Sequence, residues 1–448
     1  MTDDHSRYRD HVATLRQRYD NALEQCRLDA VVLAAGQPHG IFLDDQHLPF
    51  KPNPHLLQWG PLREHPGSVL IVRAGEVPRL LVYTPTDFWH EIPPVPDEFA
   101  VGELQVEAVS NAGDIAAAVR QIAGQCAGAI AFIGETTPAT DTCGINRINP
   151  DDLLAVLNEF RTVKTDWEID NLRAASHMGV KGHLAAREAF RGGGTEYEIQ
   201  LAFRTACNAT DDEMPYPAIV ALNEHAATLH YQRLDRERRP NLSLLIDAGH
   251  AVNGYASDIT RTHSDDAEFG ALIEAMHELQ RDLCTAALPG VNYRELHHAA
   301  HLAIAALLGE AGLITVAPED AVEAGISRTF FPHGLGHFLG LQVHDVGALY
   351  TRREPGSTVP EGEDKYLRLT RTLEAGNVLT IEPGIYFIES LLNDLRGKPA
   401  AGMIDWARVD ALRPFGGIRI EDNLCITGDG HENLTRRAFS ALDTEMSA

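Results

Sequence analysis

The stretch Leu242-Ser-Leu-Leu-Ile-Asp247-Ala-Gly-His-Ala-Val-Asn253-Gly254-Tyr-Ala-Ser-Asp258-Ile-Thr-Arg-Thr262 decides how the second half of the chain is read. Asn-Gly between two extended runs signals a hairpin, because a type I′ turn needs positive φ at both central residues. With Asn253 and Gly254 as the turn, Val252 pairs with Tyr255, Asp247 lies opposite Thr260 and Asp258 opposite Gly249. Side chains alternate along a strand, so Asp247 and Asp258 share a face as diagonal neighbours, roughly 7–8 Å apart at the backbone. Carboxylates at that spacing converge on metals about 3.5–4 Å apart. Without a cation they repel each other, or one takes up a proton. An aspartate pair on a hairpin is more often a solvated face. Here Asp247 closes the apolar run Leu244-Leu245-Ile246, which argues against a solvated strand end.

Further along, Phe331-Pro-His333-Gly334-Leu-Gly336-His337-Phe338-Leu-Gly340-Leu-Gln342-Val343-His344-Asp345 packs three histidines into twelve residues, in a chain that has 21. His333 and His337 have the spacing for zinc on a helix, but the intervening glycines oppose a helix and no HExxH glutamate is present. The glycine spacing is not a dinucleotide fingerprint either. It suggests backbone passing close to a ligand or metal. Glu382 ends the strand-like run Val378-Leu-Thr-Ile before Pro383-Gly384. Glu421 lies in Gly416-Gly-Ile-Arg419-Ile-Glu421-Asp422-Asn423, where Arg419 and Glu421 alternate with isoleucines. Arg and Glu on one face of an apolar strand mark a buried ion pair or an active site.

The rest of the chain frames these segments. A length of 448 residues favours two domains. An amphipathic stretch from Tyr8 to Cys26 and strand-length runs at Ala30–Ala34, Ser68–Val72 and Arg79–Tyr83 read as an α/β domain over residues 1–160. The proline-rich segment Leu43 to His55 reads as a long loop. Thr165–Glu168 and Thr195–Glu198 have capping-box form, and Gly192-Gly193-Gly194 ends the helix between them. Residues 161–448 then form a second, α+β domain holding nearly all the candidate chemistry. Lys and Arg total 38 against 64 Asp and Glu, a net charge of −26 that disfavours nucleic acid. The six cysteines form no CxxC pair and read as buried free thiols. Neither a signal peptide nor a bilayer-spanning apolar run is visible, so a cytoplasmic protein without membrane partners is expected.

Together these segments resemble the metal-dependent peptidases of the pita-bread fold, whose five ligands appear in family order as Asp247, Asp258, His337, Glu382 and Glu421. Among them the likeness is greatest to the bacterial Xaa-Pro dipeptidases, or prolidases. It also takes in Leu43-Asp44-Asp45, Pro49-Phe50-Lys51, Asp87-Phe88-Trp89-His90, Pro215-Tyr216, Leu222 to Ala227, Leu229-His230-Tyr231 and Gly340 to Gly347. The resemblance implies a creatinase-like N-terminal domain, a pita-bread catalytic domain, and two divalent metal ions, with Mn2+ suited to an oxygen-rich site. By the same resemblance Asp258 and Glu421 bridge the metals, Asp247 binds one, and His337 with Glu382 binds the other. A metal-bridging hydroxide attacks, Glu382 shuttles the proton, and His333 and His344 stabilise the oxyanion. His230, Tyr216, Val343 and Leu229 line the pockets, and Arg419 grips the free carboxylate of an Xaa-Pro dipeptide. Relatives are homodimers, so Asp45 is expected to reach the partner's site and Trp89 to cap the pocket. Phe338, where some relatives are expected to have proline, is expected to shift a pocket wall. The rival readings are an aminopeptidase P acting on longer peptides, an organophosphate hydrolase activity, and a non-catalytic module that retains the fold.

Overall fold

The computed structural model describes residues 2–95, 103–136, 145, 147–349, 360 and 362–447. It separates into two compact units, Met1–Asp170 and Asn171–Ala448, with the break inside the helix Asp166–Arg191.

The first unit is built on a six-stranded sheet of β1 (Leu28–Ala34), β2 (Val69–Arg73), β3 (Arg79–Tyr83), β4 (Gln105–Val109), β5 (Ala129–Ile133) and β6 (Arg147–Ile148), in the order β4-β3-β2-β1-β5-β6. The pairs β1–β5, β3–β4 and β5–β6 are parallel, and β1–β2 and β2–β3 are antiparallel. In the helix Thr2–Cys26, Tyr8, Val12, Leu15, Tyr19, Ala22 and Leu23 are buried at helical spacing, as the amphipathic pattern predicts. The expected loop at Leu43–His55 is broken at its end. Asn53 caps a short helix, Pro54–Leu57, by accepting the His55 N–H.

The second unit holds the chemistry. In it β7 (Ile219–Leu222), β8 (Leu244–Asp247) and β11 (Thr260–His263) form a sheet in the order β11-β8-β7, and β9 (Ala251–Val252) with β10 (Tyr255–Ala256) closes the hairpin. The register read from the sequence is found: Val252 pairs with Tyr255 and Asp247 with Thr260. Asn253 and Gly254 have φ of +50° and +88°, the left-handed values that the turn requires. At Gly249 a Cβ would lie 1.9 Å from the Ser257 carbonyl oxygen, so only glycine fits opposite the segment that carries Asp258.

A second sheet pairs β12 (Val378–Ile381) with β15 (Asp422–Ile426) and β15 with β16 (His431–Asn433). A short ladder joins β13 (Gly384–Tyr386) to β14 (Gly417–Arg419). Isolated bridges tie the pieces together, Thr260 to Glu421 and Phe338 to Leu379. The helices Ala267–Ala286 and Tyr293–Glu310 bury Phe269, Met276, Tyr293, Ile304 and Leu308 in the same core as Phe338, Leu379 and Ile420. Thr195 and Glu198 form the reciprocal capping box that was expected, and the helix before them ends at Arg191.

Two expectations need correction here. Phe338 is fully buried in the hydrophobic core, not on a pocket wall. Gly334 and Gly336 face backbone, not a ligand: an added Cβ at Gly336 would meet the Thr380 carbonyl oxygen at 2.2 Å, and one at Gly334 would meet Leu367 Cα at 2.9 Å. Of the cysteines, Cys207, Cys284 and Cys425 are buried, Cys26 and Cys126 are only half-buried, and Cys143 lies outside the described residues. Among the described residues no helix is long and apolar enough to cross a membrane.

Candidate metal centre

Four of the five candidate ligands sit where a strand ends or changes partner, and the fifth, His337, lies in the irregular segment before β12. Asp247 is the last residue of β8, and Asp258 lies between β10 and β11. Glu382 falls between β12 and β13, and Glu421 between β14 and β15. The pairs Ile381–Asp422 and Gly384–Arg419 share one register, and continuing it past Pro383 sets Glu382 opposite Glu421. Like charges directly opposite each other destabilise a sheet, so this pairing calls for a cation or a proton. His337 is held to β12 by its N–H, which donates to Thr380 Oγ1 at 3.1 Å, and by its carbonyl, which accepts the Thr380 N–H at 2.9 Å.

The side chains converge. His337 Nδ1 donates to the Phe338 carbonyl at 2.9 Å, which turns Nε2 towards Asp258 Oδ2 at 3.4 Å and Glu382 Oε1 at 3.7 Å. Asp258, His337 and Glu421, all buried, offer donor atoms within 4.8 Å of one another. The Tyr216 hydroxyl lies 2.7 Å from Asp247 Oδ1 and 2.5 Å from Asp258 Oδ1, although it has one hydrogen to donate. Thr260 Oγ1 donates to Glu421 Oε2 at 2.6 Å.

Electrostatics describe the same shortage of positive charge. Burial pushes Asp247 up to about 6, against the opposing charge of Arg419 and with Asp258 adding repulsion. Burial likewise raises Glu382 to about 7 and Glu421 well above the carboxylate range, with neighbouring carboxylates contributing to both. Asp258 differs: burial would raise it, but the hydrogen bond and charge of His337 outweigh burial and hold it low. A buried group of four carboxylates with one imidazole, one shared phenol hydrogen and one guanidinium fits divalent cations taking oxygen and nitrogen donors.

The remaining candidates fall into three groups. His333, His344 and Arg419 lie against the ligands, and the exposed His230 is near enough to His344 to influence it. His333 Nδ1 donates to the Gly334 carbonyl at 2.8 Å, leaving Nε2 to accept from the Tyr386 hydroxyl at 2.8 Å, so both ring nitrogens are engaged. Burial lowers His333 to about 3. The His344 ring packs edge-on against His337 at 4.4 Å. Burial, followed by the charges of His337 and Arg368, lowers it to about 4, with a smaller effect from His230. Arg419 donates through Nη2 to Asp247 Oδ2 at 2.7 Å, through Nη1 to the Tyr386 hydroxyl at 2.9 Å and through Nε to Thr260 Oγ1 at 3.2 Å.

Leu229 packs beside Tyr231, Leu245 and Tyr386, and Val343 is half-buried next to His344. Asp45 and Trp89 belong to the first unit. Both are exposed, Trp89 at 77%, with its ring 4.7 Å from that of Phe88.

The sequence reading missed Thr260, Thr380 and Tyr386, which hold Glu421, His337 and Arg419, and the exposed Arg368, whose charge reaches His344. Tyr386 was within reach of it, four residues beyond Glu382 in a strand-like run. Arg368 carried no signal, since nothing local ties it to the histidines.

Comparison with known proteins agrees with this centre. Residues 170–428 match the model of metallopeptidase family M24, and residues 6–159 match the Xaa-Pro dipeptidase N-terminal domain. The chain is 43% identical over 432 residues to a Xaa-Pro dipeptidase of Shewanella woodyi, spanning 96% of this chain and 97% of the relative. It is 42% identical over 431 residues to that of Shewanella loihica, with the same coverage. Among solved structures, the aminopeptidase PepP of Pseudomonas aeruginosa aligns with a TM-score of 0.74 at 23% identity, over 98% of this chain and 99% of that one. The low-pH form of aminopeptidase P from E. coli aligns at 0.74 and 25% identity, over 96% and 95%. The chain belongs to metallopeptidase family M24, and its fold is that of these two-domain peptidases. Within that family its N-terminal domain and its full-length relatives set it among the Xaa-Pro dipeptidases.

Proposed function

We propose that this chain is a dinuclear-metal hydrolase that cuts the Xaa-Pro bond of dipeptides, with Asp247, Asp258, His337, Glu382 and Glu421 holding two divalent cations, Mn2+ by preference. Metal-dependent hydrolysis of Xaa-Pro dipeptides is its activity, and the near-full-length identity of 42–43% to Xaa-Pro dipeptidases carries that conclusion. Oxygen donors with a single imidazole and no thiolate favour Mn2+ over thiolate-seeking metals. Cations bound there supply a nucleophile from water at neutral pH and polarise the scissile carbonyl.

The chain's own groups do the rest. Glu382, between His337 and His333, takes the proton from water and returns it to the proline nitrogen, which has no hydrogen of its own in the bond and needs one to leave. His344 faces the developing oxyanion. His333 holds Tyr386 and, through it, Arg419. Leu229, Val343, His230 and Tyr216 shape the recess for the ring and the first residue.

Two guanidiniums are candidates for the substrate carboxylate. Arg419 is nearly out of contact with water and engaged by Asp247, whereas Arg368 is exposed and its charge reaches His344. A carboxylate clamp favours dipeptides over longer chains.

The enzyme acts as a cytoplasmic homodimer, in which Asp45 and Trp89 meet the partner's site. The exposed apolar side chains Phe42, Leu43, Phe88 and Trp89, 77% exposed or more, support a covering partner. Action on longer peptides, as in aminopeptidase P, is the second reading, since the solved structures similar to this chain include aminopeptidases P. Organophosphate hydrolysis would be a side activity in which tetrahedral phosphorus replaces the attacked carbonyl. The test is Mn2+ titration with Gly-Pro and Gly-Pro-Ala, repeated with Asp258→Asn and His337→Ala. Preference for the dipeptide and loss of activity in both folded variants are expected. Wild-type rates in both would overturn the site assignment.

A further inference from the structure

The antiparallel bridge between Thr260 and Glu421 is the start of a ladder that the backbone does not continue. The Glu421 N–H donates to the Thr260 carbonyl at 3.0 Å. Two residues further along each segment, the same register sets Asp258 opposite Asn423. At that point the backbone of Asn423 is already committed. The residue pairs with Thr380 of β12, and its N–H donates to Thr435 Oγ1 at 2.9 Å.

We propose that Asn423 is a positioning residue for the metal centre, its carboxamide standing in for the missing peptide group and fixing Asp258 against the strand that follows Glu421. Asn423 Oδ1 accepts the Asp258 N–H at 3.1 Å, and Asn423 Nδ2 donates to the Asp258 carbonyl. A backbone N–H only donates and a backbone carbonyl only accepts, so the amide has one orientation that satisfies both. Ser176 Oγ, 3.3 Å from Asn423 Oδ1, supports that orientation from the other side. Asn423 is fully buried and Asp258 nearly so, which leaves water no access to replace either bond.

The consequence concerns geometry between sheets. On the hairpin side, Ala248 N–H donates to the Ile259 carbonyl and Ser257 N–H to the His250 carbonyl, so the neighbours of Asp258 are tied to the segment between β8 and β9. Asp258's own peptide groups point the other way, and Asn423 receives both. The two carboxylates assigned to bridge the metals therefore keep their separation through the Thr260–Glu421 bridge on one side and this amide side chain on the other. Groups that orient metal ligands typically change metal affinity 10–100-fold when lost. Aspartate at this position has the same shape but no donor, and it would set a carboxylate oxygen against a carbonyl oxygen.

This inference rests on the reading of Asp258 and Glu421 as metal ligands. The test is isothermal titration of the chelated, full-length protein with Mn2+ for wild type, Asn423→Asp, Asn423→Ala and Asn423→Ser, with thermal unfolding of each metal-free protein alongside. The dissociation constant is expected to rise about 10–100-fold in all three variants, since the serine hydroxyl is one atom too short to take the place of Oδ1 or Nδ2. A folded variant that binds Mn2+ within twofold of wild type, whatever its metal-free melting temperature, overturns the proposal, because a purely structural role moves only the melting temperature. Should the Asp and Ala variants fail to fold, the Ser variant alone decides by the same criterion. Asp258→Asn in the same titration separates the two claims. If it binds like wild type, the ligand assignment itself fails. If it does not bind while the Asn423 variants do so normally, only the inference about Asn423 fails.

Discussion

Arg419 and Asp247 form an ion pair, Nη2 to Oδ2 at 2.7 Å, with side chains only 5% and 13% exposed. The pair includes one of the candidate metal ligands and joins strands 172 residues apart in sequence. Removing one partner of a buried pair leaves a charge that water cannot reach, which typically costs about 3–5 kcal/mol. Arg419→Ala is therefore expected to destabilise the metal-free protein by about 3 kcal/mol. Mn2+ should recover part of that loss, because a cation beside Asp247 replaces the guanidinium. Urea unfolding with and without Mn2+ measures both.

The carboxylate clamp is tested by comparing Arg419→Ala with Arg368→Ala. Arg368 is exposed and engages none of the ligands through a described hydrogen bond, so its removal should leave stability and metal content unchanged. If Arg368 meets the substrate, its loss raises KM for Gly-Pro about tenfold, the size expected of one charge-assisted contact of roughly 1.5 kcal/mol. An unchanged KM in Arg368→Ala returns the role to Arg419.

The buried carboxylates make a prediction about pH. Asp247 at about 6, Glu382 at about 7 and Glu421 higher still all titrate above an unfolded carboxylate. Between about pH 4.5 and 7 these three carboxyl groups hold more protons in the folded metal-free chain than in the unfolded one, so their own contribution to stability falls as pH rises, whereas buried histidines such as His333 and His344, lowered to about 3 and about 4, act in the opposite direction. Bound metal requires those groups deprotonated, so Mn2+ affinity should rise over the same range with release of protons. Calorimetric Mn2+ titrations from pH 5 to 8, in buffers of different ionisation enthalpy, should show proton release that is largest at pH 5 to 6 and shrinks as pH rises past 7. Mn2+ binding that releases no protons at pH 5 to 6 contradicts the charge shortage.

Gly336→Ala probes the seam between His337 and β12. Its Cβ would meet the Thr380 carbonyl oxygen at 2.2 Å and the Tyr293 hydroxyl at 2.4 Å, neither of which has room to withdraw. The expected cost is about 3 kcal/mol, the upper part of the usual range for overpacking, together with weaker metal binding as His337 is pushed away from Glu382. Circular-dichroism melts and metal content after dialysis report the two effects separately.

The hairpin at Asn253-Gly254 shows what a sequence makes legible. A tight turn with two left-handed residues sets the register by itself, so the pairing of Asp247 with Thr260 could be counted from the turn outwards. The helix caps at Thr165 and Thr195 were legible for the same reason, each resting on contacts three residues apart. Long-range relationships were not. The alternation of Arg419 and Glu421 along one strand points to an ion pair between sequence neighbours, whereas the ion pair of Arg419 in the fold is with Asp247. The glycines around His337 were read as a ligand approach because their true neighbours, Thr380 and Leu367, are separated from them by dozens of residues. Tyr216 was expected in the substrate recess, and nothing near it in the chain announced a hydroxyl held between two aspartates.

The most direct test is a stoichiometric Mn2+ titration of exhaustively chelated protein, following Gly-Pro hydrolysis and bound metal together. The account predicts no turnover at zero metal, with activity rising to a plateau at two ions per chain. Full activity in the chelated protein, or a plateau reached without bound metal, would contradict it.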